Sequence, residues 1–178
     1  MNTHFLRGAL GLALWLGTSP AASAQDTAAD APVSPSWNVL GTFGAWEVRC
    51  PKAEAGSGRC SAVLEVMESE SRRVLLAWTY ALDPGGSTVG MFYTPTGIRI
   101  QPGVEVQIDG KTPVFRVPFI GCRTEGCTAE GIMTPELLAL VRSGEKARVT
   151  IMTLQGRAFN FEIPIAGLAG ALDSLPRS

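Results

Sequence analysis

Four cysteines, Cys50, Cys60, Cys122 and Cys127, carry the most reactive side chains of the sequence. An even number of cysteines in an exported chain predicts disulfides, and four cysteines allow three pairings. We favour two local bonds, Cys50 with Cys60 and Cys122 with Cys127, because each pair flanks a short segment that a hairpin could close. A redox pair or a metal site is the alternative, but the spacing is not that of a C-x-x-C motif.

The sequence contains a single histidine, His4, near its start. If export removes it, the mature chain cannot form a Ser-His-Asp triad, a Cys-His dyad or a His-ligated zinc, copper or haem site. Sites built from carboxylates, lysine or oxygen ligands stay open. Glu65, Glu68 and Glu70 form an acidic cluster and a weak candidate cation site, but no calcium-loop motif surrounds them and solvated surface is the better interpretation. We therefore predict no catalytic, cofactor-binding or metal-ligating residues.

Residues 1–24 have the three parts of a secretory signal peptide. Arg7 lies near the start, an apolar run extends from Gly8 to Leu16, and Ala22-Ser23-Ala24 is a small-residue cleavage site. The apolar run is shorter than the roughly 20 residues of a membrane-spanning helix, and no later stretch qualifies. We expect export, a mature chain that begins near Gln25, and no transmembrane segment in that mature form.

The charge of the mature chain argues against nucleic-acid binding. Export would remove Arg7 and no acidic residue, which leaves 14 basic against 16 acidic side chains and a formal charge of -2. No lysine or arginine run stands out, whereas a nucleic-acid-binding protein would be expected to carry a basic patch. Residues 25–39, rich in Ala, Asp, Pro and Ser, predict a disordered leader, and residues 40–178 predict one domain.

The best-specified element is a hairpin that leads into the second cysteine pair. Val104, Val106 and Ile108 alternate with polar residues, which is the period of a half-buried strand, and Asp109-Gly110 is a strong hairpin signal. On the returning strand the alternation continues through Phe115, Val117 and Phe119. The chain then enters the loop between Cys122 and Cys127, where Gly126 could supply an unusual backbone angle.

Short alternating runs separated by turns predict about eight strands, an arrangement typical of an antiparallel β-sandwich. Residues 74–82 also fit helical spacing, but their Trp, Tyr and Val content favours a central strand buried on both sides. Trp46 and Trp78 are predicted to be core residues, whereas Trp37 could be an exposed anchor. The predicted strands are 43–50, 60–67, 74–82, 89–93, 98–101, 104–109, 112–119, 147–154 and 158–163. Val149 and Ile151 are expected to face Phe159, Phe161 and Ile163 across the core.

One short helix and a helical tail complete the predicted fold. Thr134 can cap a helix over 134–142, with Pro135 at its first position and Gly144 at its end. Leu137, Leu138 and Val141 would form its buried face. The tail over 165–175 has helically spaced leucines and is expected to dock on the sandwich. The fold class is therefore mostly β, with two local disulfides.

Several landmarks together resemble the invasion-associated locus B family of Gram-negative bacteria. They are the signal peptide, Phe43–Cys50 with Cys60 soon after, the Gly103–Gly110 strand and turn, Pro118-Phe119 leading to Cys122 and Cys127, and the closing Leu168–Leu175 segment. The match covers about residues 40–175. The resemblance implies a single immunoglobulin-like β-sandwich without known catalytic activity, in the periplasm, associated with the outer membrane or secreted.

The expected function is that of an exported, non-enzymatic binding or accessory protein, with a protein or envelope component as partner. Relatives in some pathogens are implicated in host-cell invasion. An exposed sheet edge that accepts an added strand offers a mechanism. The alternative is an envelope hydrolase that uses paired carboxylates, or a thiol-redox enzyme that uses Cys122 and Cys127.

Overall fold

The computed structural model describes residues 36–52, 58–111 and 113–176. The elements, in chain order, are β1 (Trp37–Phe43), β2 (Trp46–Pro51), β3 (Ser61–Met67), β4 (Val74–Leu82), β5 (Thr88–Thr94), β6 (Val104–Ile108), β7 (Phe115–Val117), β8 (Phe119–Cys122), β9 (Cys127–Ile132), α1 (Pro135–Ser143), β10 (Lys146–Met152), β11 (Ala158–Pro164) and α2 (Leu168–Asp173). The predicted signal peptide and most of the predicted leader lie outside the described residues.

The strands form two antiparallel sheets that share one core. A seven-stranded sheet has the order β1-β2-β3-β4-β5-β9-β8, and a four-stranded sheet has the order β11-β10-β6-β7. Buried side chains from both sheets and both helices belong to one hydrophobic cluster. The predicted mostly β, immunoglobulin-like sandwich with one short helix and a helical tail is confirmed, with more strands than the eight expected. No helix within the described ranges is long and apolar enough to span a membrane.

The predicted hairpin at Asp109-Gly110 is present. Asp109 and Gly110 have φ values of 49° and 67°, and the Lys111 N–H donates to the Ile108 carbonyl at 2.8 Å. Two positive φ values are what a type I′ turn requires, and its twist matches that of the flanking strands. Val104 and Ile108 point into the core, as the period-two pattern predicted.

Pro118 carries the chain from one sheet to the other. Val117 ends β7, where it pairs with Val104, whereas Phe119 begins β8 and pairs with Ala129 in the seven-stranded sheet. The prediction that one strand runs through Phe119 is therefore wrong. Proline has no N–H for a sheet ladder, and the Pro118 carbonyl already accepts from the Glu130 N–H at 3.1 Å.

The central strand β4 supplies much of the aromatic core. Trp78 and Tyr80 are buried, and the Trp78 ring centroid lies 4.8 Å from that of Phe92 and 5.7 Å from that of Trp46. Burial raises the pKa of the Tyr80 hydroxyl, which stays neutral. The strand interpretation of 74–82 and the burial of both predicted core tryptophans are confirmed, although the outward face of β4 is only half-buried.

The predicted helix and tail are both present. The Thr134 side chain accepts from the Leu137 N–H at 3.3 Å and Pro135 occupies the first turn, as the capping pattern predicted. Gly144 ends α1 with φ −82°, so it is not a left-handed cap. Its special feature is space, because a Cβ there would lie 2.4 Å from Ile108 Cγ2.

Three further details of the predicted elements differ from the structure. The first strand begins at Trp37, inside the predicted leader over 25–39, so the β domain starts before residue 40. The predicted strand over 98–101 is a single bridge from Ile98 to Thr153. The facing residues of β10 and β11 are neighbours within one sheet, with Val149 beside Phe161, and do not meet across the core.

Candidate interaction surface

Both predicted disulfides are present and both are local. Cys50 at the end of β2 bonds to Cys60, with their Cα atoms 4.1 Å apart. Cys122 bonds to Cys127 across the β8–β9 pair, with a Cα separation of 4.0 Å. None of the four cysteines is free. Cys122 is exposed whereas Cys127 is buried, so the second bond lies at the surface of the sheet edge.

Gly126 serves close packing rather than an unusual backbone angle. It is not among the glycines with positive φ, which corrects the expectation from sequence. A Cβ at this position would lie 2.4 Å from the Thr94 carbonyl oxygen and 2.5 Å from the Tyr93 ring. The Tyr93 hydroxyl in turn donates to the Glu125 carbonyl. The loop closed by the second disulfide therefore packs against the end of β5.

The acidic residues considered as a cation site do not converge. Glu65 accepts from Arg49 at 2.9 Å, whereas Glu68 lies 3.7 Å from Arg73. Glu70 is exposed. Over the part of the chain that the structure describes, no three His, Cys, Asp or Glu side chains are grouped so that they could hold a metal ion.

Trp37 is an exposed residue at the β1 edge. Its side chain is 42% exposed, and the Arg49 guanidinium carbon lies 5.3 Å from the ring centroid. Arg49 also donates to Glu65 and Glu47, and these carboxylates raise the pKa of the guanidinium above its ordinary value. With Val39 and Leu40 also exposed, β1 presents an apolar edge beside a charged cluster.

The four outer strands of the two sheets differ in regularity. The pairing of β1 is interrupted between Val39 and Gly41, and that of β8 between Phe119 and Gly121. β7 has only three residues. β11 pairs with β10 through seven successive residues without a bulge. β11 is therefore the most regular of these edges in the described structure. Bulges and short length discourage pairing with another chain, and β11 has neither feature.

The edge of β11 that faces away from β10 carries a row of backbone groups, and no strand of residues 36–52, 58–111 or 113–176 pairs with it. The Thr153 N–H donates to the Arg157 carbonyl at 2.9 Å, and the Ile165 N–H donates to the Glu145 carbonyl at 2.9 Å. Since hydrogen-bonded pairs alternate along an antiparallel ladder, the residues between these pairs alternate in direction. Ala158, Asn160 and Glu162 therefore direct their N–H and C=O groups outward.

An apolar groove lies beside the start of β11, between the two sheets. It has a volume of about 170 Å³ and is lined by Leu75, residues 94–98, Ile151, Thr153, Phe159 and Phe161. Phe161 is buried, whereas Phe159 is 50% exposed, and their ring centroids are 5.0 Å apart. Phe159 was predicted to be a core residue, and the structure corrects this because β11 is the last strand of its sheet.

Two arginines lie near the same end of β11. Arg157 immediately precedes the strand, and Arg99 lies against the β10–β11 turn, where its Nε donates to the Leu154 carbonyl at 3.4 Å. Both residues are exposed. Neither forms an ion pair with a carboxylate of the described ranges. The groove therefore has a locally positive rim.

Comparisons with known proteins agree with this fold and with the resemblance found in the sequence. The model of the family described as Invasion associated locus B (IalB) protein matches residues 46–176. Invasion protein B of Bartonella bacilliformis is 24% identical over 137 residues, which is 75% of this chain and 73% of the relative. The crystal structure of invasion associated protein B from Bartonella henselae has a TM-score of 0.63 and 20% identity, over 75% of this chain and 92% of that one. Because the family model spans most of the sandwich, from β2 to the end of α2, the chain belongs to the invasion associated locus B family.

Proposed function

We propose that this chain is an exported, non-enzymatic binding or accessory protein of the bacterial envelope. It acts in the periplasm or at the outer surface and recognises a protein or envelope component through an exposed sheet edge. The name Invasion protein B, carried by the Bartonella bacilliformis relative, supports including a role in host-cell invasion in this proposal.

Export is supported by the signal-peptide pattern of residues 1–24 and by the cysteines. All four form disulfides, Cys50 with Cys60 and Cys122 with Cys127. Disulfides persist in oxidising compartments such as the periplasm and are rare in the cytosol. An envelope location therefore accounts for the complete oxidation of the chain.

The chemistry of the chain supports a binding role over catalysis. A mature chain beginning near Gln25 would contain no histidine, the side chain most often used for proton transfer near neutral pH. The disulfide at Cys122 joins two adjacent strands, β8 and β9, which suits a structural bond.

The observation that carries the binding proposal is the exposure of apolar side chains at sheet edges. Leu40 on β1 is 59% exposed and Phe159 on β11 is 50% exposed. Edge strands can pair with another chain, and apolar side chains beside them add burial to the backbone hydrogen bonds. Both features suit the recognition of a partner protein.

The proposal is tested with the mature chain, residues 25–178, expressed through its own signal peptide. We expect the periplasmic protein to begin near Gln25 by mass spectrometry. Immobilised protein should retain specific partners from envelope extract across a series of salt concentrations, and a double variant at the two edges, L40S/F159S, should lose them.

Two results would overturn the proposal. One is an uncleaved chain that stays in the cytoplasm. The other is an immobilised protein that retains no specific partner at any ionic strength. The association with invasion is tested separately, because a deletion strain that enters host cells at the normal rate would remove that part alone.

A further inference from the structure

We propose that the free edge of β11 binds the extended carboxy-terminal segment of a partner protein as an added antiparallel strand. This inference rests on the proposed binding function and names its surface and its ligand class. The surface consists of the outward backbone groups of Ala158, Asn160 and Glu162, the groove beside Phe159, and the arginines at its end.

The backbone of β11 determines that the ligand is extended. Three residues, Ala158, Asn160 and Glu162, present N–H and C=O groups along an unbulged strand. A peptide in β conformation matches that repeat, whereas a helix has no free backbone groups along its side. Pro164 has no N–H, so the row of outward N–H donors ends at Glu162. The added strand therefore lies over residues 158–162.

The groove determines where the ligand carries apolar side chains. Side chains alternate between the two faces of a strand, and Phe159 and Phe161 point toward the groove between the sheets. Ligand residues opposite these two phenylalanines lie on the same face. An apolar side chain opposite Phe159 would cover the half of that ring that is exposed. The ligand should therefore carry apolar residues two positions apart.

Charge complementarity determines the direction of the added strand and which end of the ligand binds. An antiparallel strand brings its C-terminal end to the start of β11, beside Arg157. Arg99 lies against the adjacent turn, so two cations without a described carboxylate partner lie at this end. A terminal carboxylate is favoured there, whereas a parallel strand would bring its ammonium group to the same cations. The assigned ligand is thus a carboxy-terminal segment that ends in alternating apolar residues.

The test uses the mature protein and an array of peptides with free C-termini that are randomised over their last six positions. We expect enrichment of apolar residues two positions apart. The same peptides with amidated C-termini should bind at least about tenfold more weakly, as expected for a charge-assisted contact. Hydrogen exchange should show protection of the Ala158, Asn160 and Glu162 amides on binding.

Asn160 provides a matched pair of variants. Asn160→Pro removes an outward N–H that β10 does not use and should reduce peptide binding by at least about tenfold. Asn160→Ala removes the hydrogen bond from Thr150 but keeps the N–H, and binding should stay within about twofold. Arg157→Glu should abolish the preference for a free carboxylate. L40S, at the other edge, is expected to bind the peptides normally.

Four outcomes would overturn the inference. The first is the absence of any enriched peptide, and the second is equal binding by Asn160→Pro and wild type. The third is equal binding of free and amidated peptides. The fourth is a homodimer that Asn160→Pro dissociates, which would assign the edge to a second copy of the chain. If envelope partners are still retained in any of these cases, the proposed function stands and only the ligand and surface assigned here are wrong.

Discussion

The Asp109 carboxylate accepts a hydrogen bond from the Lys146 backbone N–H at 2.9 Å, and this contact joins the β6–β7 turn to the first residue of β10. The same oxygen accepts from the Glu145 N–H at 3.1 Å. The hydrogen bond from Lys146, and then that from Glu145, holds the pKa of the Asp109 carboxyl below its ordinary value. The turn residue therefore has a second role beyond its backbone angle.

Asp109→Asn should lower stability at neutral pH and leave it less affected in acid. A carboxylate whose folded pKa is lowered stabilises the fold above its unfolded pKa of about 3.9, and this stabilisation is lost as the pH falls through the folded value. Asparagine tolerates the left-handed backbone of this position. Urea unfolding from pH 7 to pH 3 should show the two proteins converging at low pH.

Glu70→Gln is the control for this pH series, because Glu70 is exposed and its replacement by glutamine removes the same charge. It should follow the wild-type profile throughout. An Asp109→Asn difference that stayed constant down to pH 3 would contradict the assignment.

Gly126→Ala should destabilise the protein by about 1 to 3 kcal/mol, because a Cβ would overlap the Thr94 carbonyl. Gly121 lies in β8, just before the loop that contains Gly126, and a Cβ there meets nothing within 4 Å, so Gly121→Ala should be close to neutral. The free energy of unfolding of both variants is measured in urea with the disulfides intact. Equal effects at the two positions would show that packing is not the reason for glycine at 126.

Leu76→Ala should destabilise the protein by about 2 to 5 kcal/mol, because Leu76 is fully buried and its removal leaves a cavity. Leu154→Ala removes the same atoms from a side chain that is 58% exposed, and its effect should stay within about 0.5 kcal/mol. Thermal unfolding followed by circular dichroism compares them. A similar loss of stability for both variants would contradict the assignment of Leu76 to the core and Leu154 to the surface.

Replacement of Cys50 and Cys60 by alanine should cost about 2 to 3 kcal/mol, and so should replacement of Cys122 and Cys127, because each short loop restricts the unfolded chain. Urea unfolding of the two double variants tests this. Mass spectrometry of the denatured wild type after alkylation should find no modified cysteine. A partly alkylated Cys122 and Cys127 pair would instead favour a thiol-redox enzyme.

Local signals in the sequence predicted the elements whose geometry depends on neighbouring residues. A type I′ turn needs positive φ at both central positions, and Asp109 and Gly110 adopt it. At the start of α1, the Thr134 side chain accepts a backbone N–H and Pro135 occupies a position in the first turn. The disulfides were predictable because Cys122 and Cys127 flank a loop that a strand pair closes. Each of these depends on residues that are close together in the chain.

What the sequence did not predict depends on which strands become neighbours. Period-two alternation assigns Phe159 to the inward face, but it does not show that β11 has no strand beyond it, so its exposure was missed. Gly126 was recognised as special for the wrong reason, since the contact with Thr94 arises only when β5 and β9 pair. The position of β11 at the sheet edge did have a signal in the sequence, because 158–163 is the last predicted strand of the chain.

Pro118 is the single residue that connects the two sheets at this point of the chain. Val117 is buried in the core and the partly buried Phe119 packs against it, yet the two residues belong to different sheets. One additional residue between them would shift either β7 or β8 by one position, and every side chain of the shifted strand would then point to the opposite face of its sheet. Natural length variation should therefore be tolerated at the hairpin tips but not at this junction, and the two sheets are expected to unfold as a single cooperative unit.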